Sequence, residues 1–309
     1  MTDSRQALTV HPVPAMGAED VVVAADGTVF TGTEDGALWA LDPATGSTRR
    51  VADTGGRPLG IELLGDGHLL VCDAERGLLD VDPATGAVEV LLDRLDGRAM
   101  RFCNNAAVAN DGTIWFSDSS LHYGVQQWKD DFVQDTRTGR LVRRDPDGTV
   151  TVVLEGLAFA NGVALAADES FVCVAETRGR SVVRLWLTGA RAGERDHLVT
   201  DLPGYPDNIS RGSDGLVWVT IASPVDPLVE RLGSAPMVLR RAVTRIPEAL
   251  QPKPKRTIRV QAYDDDGRLV HDVDLADPGY HMVTGVREHD GRVWLGSLHE
   301  PSVAVVDLA

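Results

Sequence analysis

The feature that most constrains this chain is a short pattern that recurs six times: an Asp, usually followed by Gly, then an alternating apolar run. It reads DGTVFTG from Asp26, DGHLLVC from Asp66, DGTIWFS from Asp111, DESFVCV from Asp168, DGLVWVT from Asp214 and DGRVWLG from Asp290. Asp-Gly makes a tight turn, because Gly takes positive φ without a steric penalty. The residues that follow alternate with the period of two expected of strands and are rich in Val, Phe, Trp and Ile. A second strand and another turn often come next, as in ALWALDPATG (37–46), LLDVDPATG (78–86) and RLVRRDPDG (140–148). Each unit is therefore a small antiparallel meander.

Successive repeat Asp residues are 40, 45, 57, 46 and 76 residues apart. Insertions at 119–139 and 224–259 account for the two long intervals. The second carries the main helical signal, with Leu228 and Leu232, then Val238, Ala242 and Ile246, at helical spacing. Meanders of this size predict an all-β fold, a six-bladed β-propeller with a short helical insertion between blade strands. The expectation is one domain over residues 1–309. The 224–259 insertion bears Arg231, Arg240, Arg241, Arg245, Lys253, Lys255, Arg256 and Arg259, and is a candidate lid or association surface.

The residue seven places before each repeat Asp lies on the strand expected to line the central channel. In order these are Glu19, Leu59, Asn104, Asn161, Asp207 and Val283. Four of them carry side-chain oxygens. Two carboxylates and two amides suit a hard divalent cation, Ca²⁺ above all, whereas softer metals would want Cys or His.

Composition narrows the partners. A net charge of −16 disfavours nucleic acid, since an acidic surface repels phosphates and releases no counterions. Cys72, Cys103 and Cys173 are too few for a disulfide framework and form no zinc-type cluster. No secretory leader and no apolar run of membrane-spanning length is visible, so a soluble, cytoplasmic protein acting on a small molecule is expected.

The segments GAEDVVVAADGTVFTGTEDG, FCNNAAVANDGTIWFSDSS, FANGVALAADESFVCVAETRGRSVVRLWLTG and LPGYPDNISRGSDGLVWV resemble the calcium-dependent propeller superfamily of regucalcin/gluconolactonase and the paraoxonases, and within it the strictosidine synthase-like branch. The resemblance implies one channel ion held by Glu19, Asn104, Asn161 and Asp207. Its PDN pattern adds Asn208 as a fifth ligand. It implies hydrolysis of lactones or of carboxylic and aryl esters, with the ion polarising the carbonyl, Asp207 activating water and His281 relaying a proton. The substrate contacts expected are Leu59, Phe102, Asn105, Val283 and Thr284. Phe102 stands where gluconolactonases place an Arg for sugar hydroxyls, which favours an apolar acyl or aryl group. Asn105 departs from the usual Asn-Asp pair. Thr284 stands where strictosidine synthase has its glutamate, so no base is present there for that condensation. A biosynthetic lyase or condensing enzyme, and a non-catalytic calcium-stabilised propeller, are the alternatives.

Overall fold

In the repeat turns, the Asp side chain caps the loop it begins. Asp26, Asp66, Asp111, Asp168 and Asp214 each accept, through Oδ1, the backbone N–H two residues on, at 2.8–3.0 Å. The Gly that follows has positive φ, +86° at Gly112 for example. At the fourth repeat Glu169 adopts that conformation instead, with φ 56°. These turns join each channel-lining strand to its partner and so set the register of every blade.

The protein is described here by a computed structural model covering residues 7–246, 255–275 and 279–308. Lys253 and the neighbouring residues of the 224–259 insertion lie outside these. The chain folds into six four-stranded antiparallel sheets. Blade 1 holds the strands Val21–Val23, Val29–Gly32, Ala37–Asp42 and Ser47–Asp53. Blades 2 to 5 follow the same inner-to-outer order, with inner strands Pro58–Leu63, Cys103–Val108, Ala160–Leu165 and Gly204–Arg211. Blade 6 is built from Val283–His289, Arg292–Ser297 and Ser302–Asp307, and its outer strand is Leu8–Pro12. That N-terminal strand pairs antiparallel with Ser302–Asp307, from Leu8 opposite Val306 to Pro12 opposite Ser302, and closes the ring.

The core is divided in the same way. One buried apolar cluster fills each interface between neighbouring blades. Val21, Val29 and Leu41 meet Trp294 and Val303 between blades 1 and 6, and Leu141, Val163 and Val174 meet between blades 3 and 4. Full burial of each such side chain contributes roughly 1.5–3 kcal/mol, so the ring is held by its six seams rather than by one central core.

The channel itself is tight. A Cβ on Gly162 would stand 2.0 Å from the Ile209 nitrogen, so the inner strands of blades 4 and 5 approach closely only because that residue is glycine.

Among the described residues, three short α-helices lie in the two insertions. Helix α1 is Trp128–Gln134, inside blade 3; α2 is Pro227–Gly233 and α3 is Met237–Thr244, both inside blade 5. Asp226 caps α2, its Oδ1 accepting Leu228 N–H at 2.7 Å, with Pro227 at the first helical position. The insertions are tied to the blades and to each other. Arg178 pairs with Glu230 at 2.9 Å, Tyr205 donates to the same carboxylate at 2.9 Å, and Arg240 donates to the Gln134 carbonyl at 2.9 Å.

Candidate metal centre and substrate cavity

Five of the inner strands bulge at one place. Ladder pairing breaks across Leu59–Gly60, Asn104–Asn105, Asn161–Gly162, Asp207–Asn208 and Thr284–Gly285. In blade 1 the equivalent pair is Glu19–Asp20, just before Val21–Val23. A bulge re-aims side chains out of the ladder. In blades 1, 3, 4 and 5 the first residue of the pair reaches the axial cavity, and the second lies in a layer beneath.

The first layer contains the four oxygen-bearing residues expected from sequence. Glu19, Asn104, Asn161 and Asp207 all line one cavity of about 550 Å³ on the axis. Asn104 donates through Nδ2 to Ser119 Oγ at 2.9 Å, and Asn161 through Nδ2 to Thr177 Oγ1 at 3.2 Å. Both amides are thereby oriented, and both Oδ1 atoms are buried without a partner. The Asn208 side chain is 1% exposed, and neither its Oδ1 nor its Nδ2 has a partner. A buried polar atom left unpaired costs roughly 1–3 kcal/mol. Two such amides beside two carboxylates in the cavity, with Asn208 in the layer beneath, mark a place suited to something that takes oxygen donors.

Electrostatics agree. Burial, then the nearby Glu19 charge, pushes the Asp207 carboxyl well above the usual carboxylate range, against a lowering hydrogen bond from Asn161. Burial also raises Glu19, opposed by Arg57, whose Nη2 lies 2.8 Å from Glu19 Oε2. Among the described residues no three or more His, Cys, Asp or Glu side chains gather into a metal cluster. The axial set instead combines two carboxylates with amide oxygens, the hard donor chemistry that fits Ca²⁺.

The second layer alternates around the axis: Asp20, Gly60, Asn105, Gly162, Asn208 and Gly285. Asp20 Oδ2 accepts Ile61 N–H at 3.1 Å and Asn105 Nδ2 at 3.2 Å, and Asn105 Oδ1 accepts Val163 N–H at 2.8 Å. These bonds tie blades 1, 2, 3 and 4 together below the cavity. Burial raises Asp20 to about 7. Neither Asp20 nor Arg57 emerged from the sequence reading. The dipeptides ED, LG, NN, NG, DN and TG that begin the inner strands do carry the alternation.

The expected substrate contacts divide. Phe102 lines the cavity and meets Phe159 edge-on at 5.3 Å. Leu59 is buried behind that pair and is not part of the lining. Asn105 is engaged with other blades as described, outside the lining. Val283 packs in the core between blades 5 and 6. Thr284 holds the axial position of blade 6 in its place, its Oγ1 donating to the Glu19 carbonyl at 2.9 Å. The offset has a simple cause. Blade 6 turns in two residues, Asp290 (φ 51°) and Gly291 (φ 76°), between the paired His289 and Arg292, so counting seven back from its Asp falls one residue short.

His281 stands outside the cavity lining: its Nδ1 pairs with Glu300 and its ring lies edge-on to His299 at 5.5 Å. The intervening Met282, at φ 53°, is the residue that reaches the cavity.

The walls come largely from the insertions, including Trp128 and Phe132 of α1 and Leu228 and Leu232 of α2. Phe132 meets Tyr205 edge-on at 4.9 Å. Lys129 and Lys255 add positive charge to an otherwise mostly apolar lining.

Comparison with known proteins agrees with this architecture. The family model described as SMP-30/Gluconolactonase/LRE-like region matches residues 21–226. Strictosidine synthase-like 10 of Arabidopsis thaliana is 35% identical over 272 residues, covering 82% of this chain and 70% of its own. The adipocyte plasma membrane-associated protein of Rattus norvegicus is 33% identical over 339 residues, covering 99% of this chain and 87% of its own. Among solved structures, a gluconolactonase of Xanthomonas campestris superposes with a TM-score of 0.72 at 17% identity, covering 99% of this chain and 90% of its own. The calcium-binding protein regucalcin of Agrobacterium tumefaciens superposes with a TM-score of 0.67 at 15% identity, covering 98% and 96%. A six-bladed propeller with oxygen donors at the mouth of its channel, this chain belongs to the SMP-30/gluconolactonase/LRE-like family.

Proposed function

We propose that the protein is a Ca²⁺-dependent hydrolase of apolar lactones or of carboxylic and aryl esters. The observation that carries this reading is the set of unpartnered amide oxygens and two carboxylates on the floor of a mostly apolar cavity. Glu19, Asn104, Asn161, Asp207 and Asn208 are the residues that would hold the ion. The chemistry supplied by bound Ca²⁺ is Lewis-acid polarisation of the substrate carbonyl and stabilisation of the oxyanion that develops from it.

The remaining work falls to the chain. Phe102, Phe159 and Trp128 seat the acyl or aryl group and exclude bulk water. Asp207, a carboxylate on the cavity floor, is the group placed to act as general base. It takes a proton from water as the water oxygen attacks the carbonyl carbon. When the acyl–oxygen bond breaks, the same carboxyl returns the proton to the leaving alkoxide. His281 has no place in this scheme, given its pairing with Glu300. The three buried free thiols Cys72, Cys103 and Cys173 suit a cytoplasmic setting.

A panel of aryl esters and aliphatic lactones, assayed with and without chelator, tests the proposal. Hydrolysis should stop with chelator and return with Ca²⁺. Hydrolysis indifferent to chelator would overturn the metal-dependent mechanism. Absence of turnover on every member, with Ca²⁺ still bound, would leave the non-catalytic propeller as the better reading.

A further inference from the structure

A second cavity, of about 590 Å³, lies beside blade 3 and is lined by Arg98, Arg101, Arg140, Asp118 and Ser120 among others. We infer that it is a binding site for an oxyanion, a phosphate or sulfate ester or a carboxylate, separate from the axial centre.

The argument is a count of donors against acceptors. Arg98 sits on a two-stranded ribbon, Arg94–Leu95 paired with Arg98–Ala99, whose Asp96–Gly97 turn (φ 51° and 76°) fixes its position. Arg101 follows three residues later. Both are exposed, and among the described residues neither side chain makes a hydrogen bond or ion pair. Arg140 lies on the third strand of blade 3, opposite Asp118 in register. It is 7% exposed and pairs with Asp118 through Nη2, while its Nε is buried without an acceptor.

The acceptors of this wall are already committed. Asp118 gives one oxygen to Arg140 and the other to Phe102 N–H at 3.2 Å. Ser120 Oγ donates to Asp131 and accepts the His122 and Tyr123 N–H groups at 3.1 Å each. Three guanidinium groups thus line a cavity with one carboxylate, which only Arg140 engages, inside a chain of net charge −16. A field of that sign repels anions everywhere except where cations are concentrated. Guanidinium forks match the paired oxygens of carboxylates and phosphates, and such charge-assisted bonds are the strong ones. What the cavity lacks is an acceptor-rich anion.

The test is isothermal titration of the full chain with sodium sulfate and, separately, sodium succinate, in chloride at matched ionic strength. The same titrations are run on the double variant Arg98→Ser/Arg101→Ser, whose altered side chains are exposed and leave the Arg140–Asp118 pair in place. A saturable single-site isotherm is expected for the unaltered chain, weakened at least about tenfold in the variant by the loss of two charge-assisted partners. Stronger binding of sulfate supports a phosphate- or sulfate-like ligand, and stronger binding of succinate a carboxylate. Saturable heat from neither anion, or equal affinity in both proteins, would overturn the assignment. Because the unaltered and variant chains carry the same axial centre, the result is independent of whether that centre hydrolyses esters.

Discussion

Asp207 and Asp196 lie on neighbouring blades and could hardly be treated more differently. Asp196, on the outer strand of blade 4, receives both Nε and Nη2 of Arg184 at 2.8 Å and Nη2 of Arg191 at 2.9 Å. Those hydrogen bonds, Arg184 first, draw its carboxyl down to about 2. Asp207, on the inner strand of blade 5, is pushed the other way by burial and by Glu19. At the rim the protein supplies Asp196 with two counter-charges. On the axis it sets Asp207 beside Glu19 and two amide oxygens that have no partner. Stability accounts for the first arrangement, and the proposed ion would account for the second.

The largest test of this contrast is Asp207→Asn. Turnover on the best ester should fall by about 10²–10⁴-fold, the usual contribution of a general base, while circular dichroism reports an intact propeller. A variant that retains most of its rate would remove Asp207 from the chemistry. Next comes Glu19→Gln. In the unaltered protein, Ca²⁺ at about a hundred times Kd should add about 3 kcal/mol to stability, read as a rise in Tm. The variant should lose most of that rise. An equal rise in both proteins would mean that the ion is held elsewhere.

At the rim, Asp196→Asn should cost about 2 kcal/mol at neutral pH in urea unfolding, with hydrolysis unchanged. The sign follows from its lowered proton affinity. The folded state binds the proton less readily than the unfolded chain, so the stabilisation is present above the ordinary carboxylate range and is lost as pH falls towards 2. The deficit of the variant should therefore shrink on acidification, and a deficit that is constant with pH would contradict the charge-based account. The smallest effect belongs to Val238 on α3, which is 82% exposed. Val238→Ser should shift stability by no more than about 0.5 kcal/mol. A clearly larger loss would show that this helix is covered in solution.

The blades were legible because their turns are chemical. An Asp that caps its own loop and a residue that accepts positive φ leave a mark in sequence, and five repeats carry that mark in one form. The sixth changes loop length by one residue, which is why Val283 was expected where Thr284 stands. The oxygen donors were legible because the bulges fall at one register. Arg57 was not, since its partnership with Glu19 joins residues 38 apart and depends on the closed ring. Leu8–Pro12 carries no repeat turn of its own, so nothing local announces its place in blade 6. The cavity walls depend on how α1, α2 and Tyr205 meet, through pairs such as Phe132 with Tyr205, and no spacing in the sequence encodes that encounter.

The clasp between Leu8–Pro12 and Ser302–Asp307 has a consequence for synthesis. A chain emerging from the ribosome can fold its blades one after another, but Leu8–Pro12 must wait for Ser302–Asp307 before it finds its mate. Until then the seam between blades 1 and 6 is open, and Glu19 stands at its edge, where Ala18 and Trp294 have yet to meet. The ion proposed for the axis would therefore meet its full set of donors only once blade 6 has closed on Leu8–Pro12.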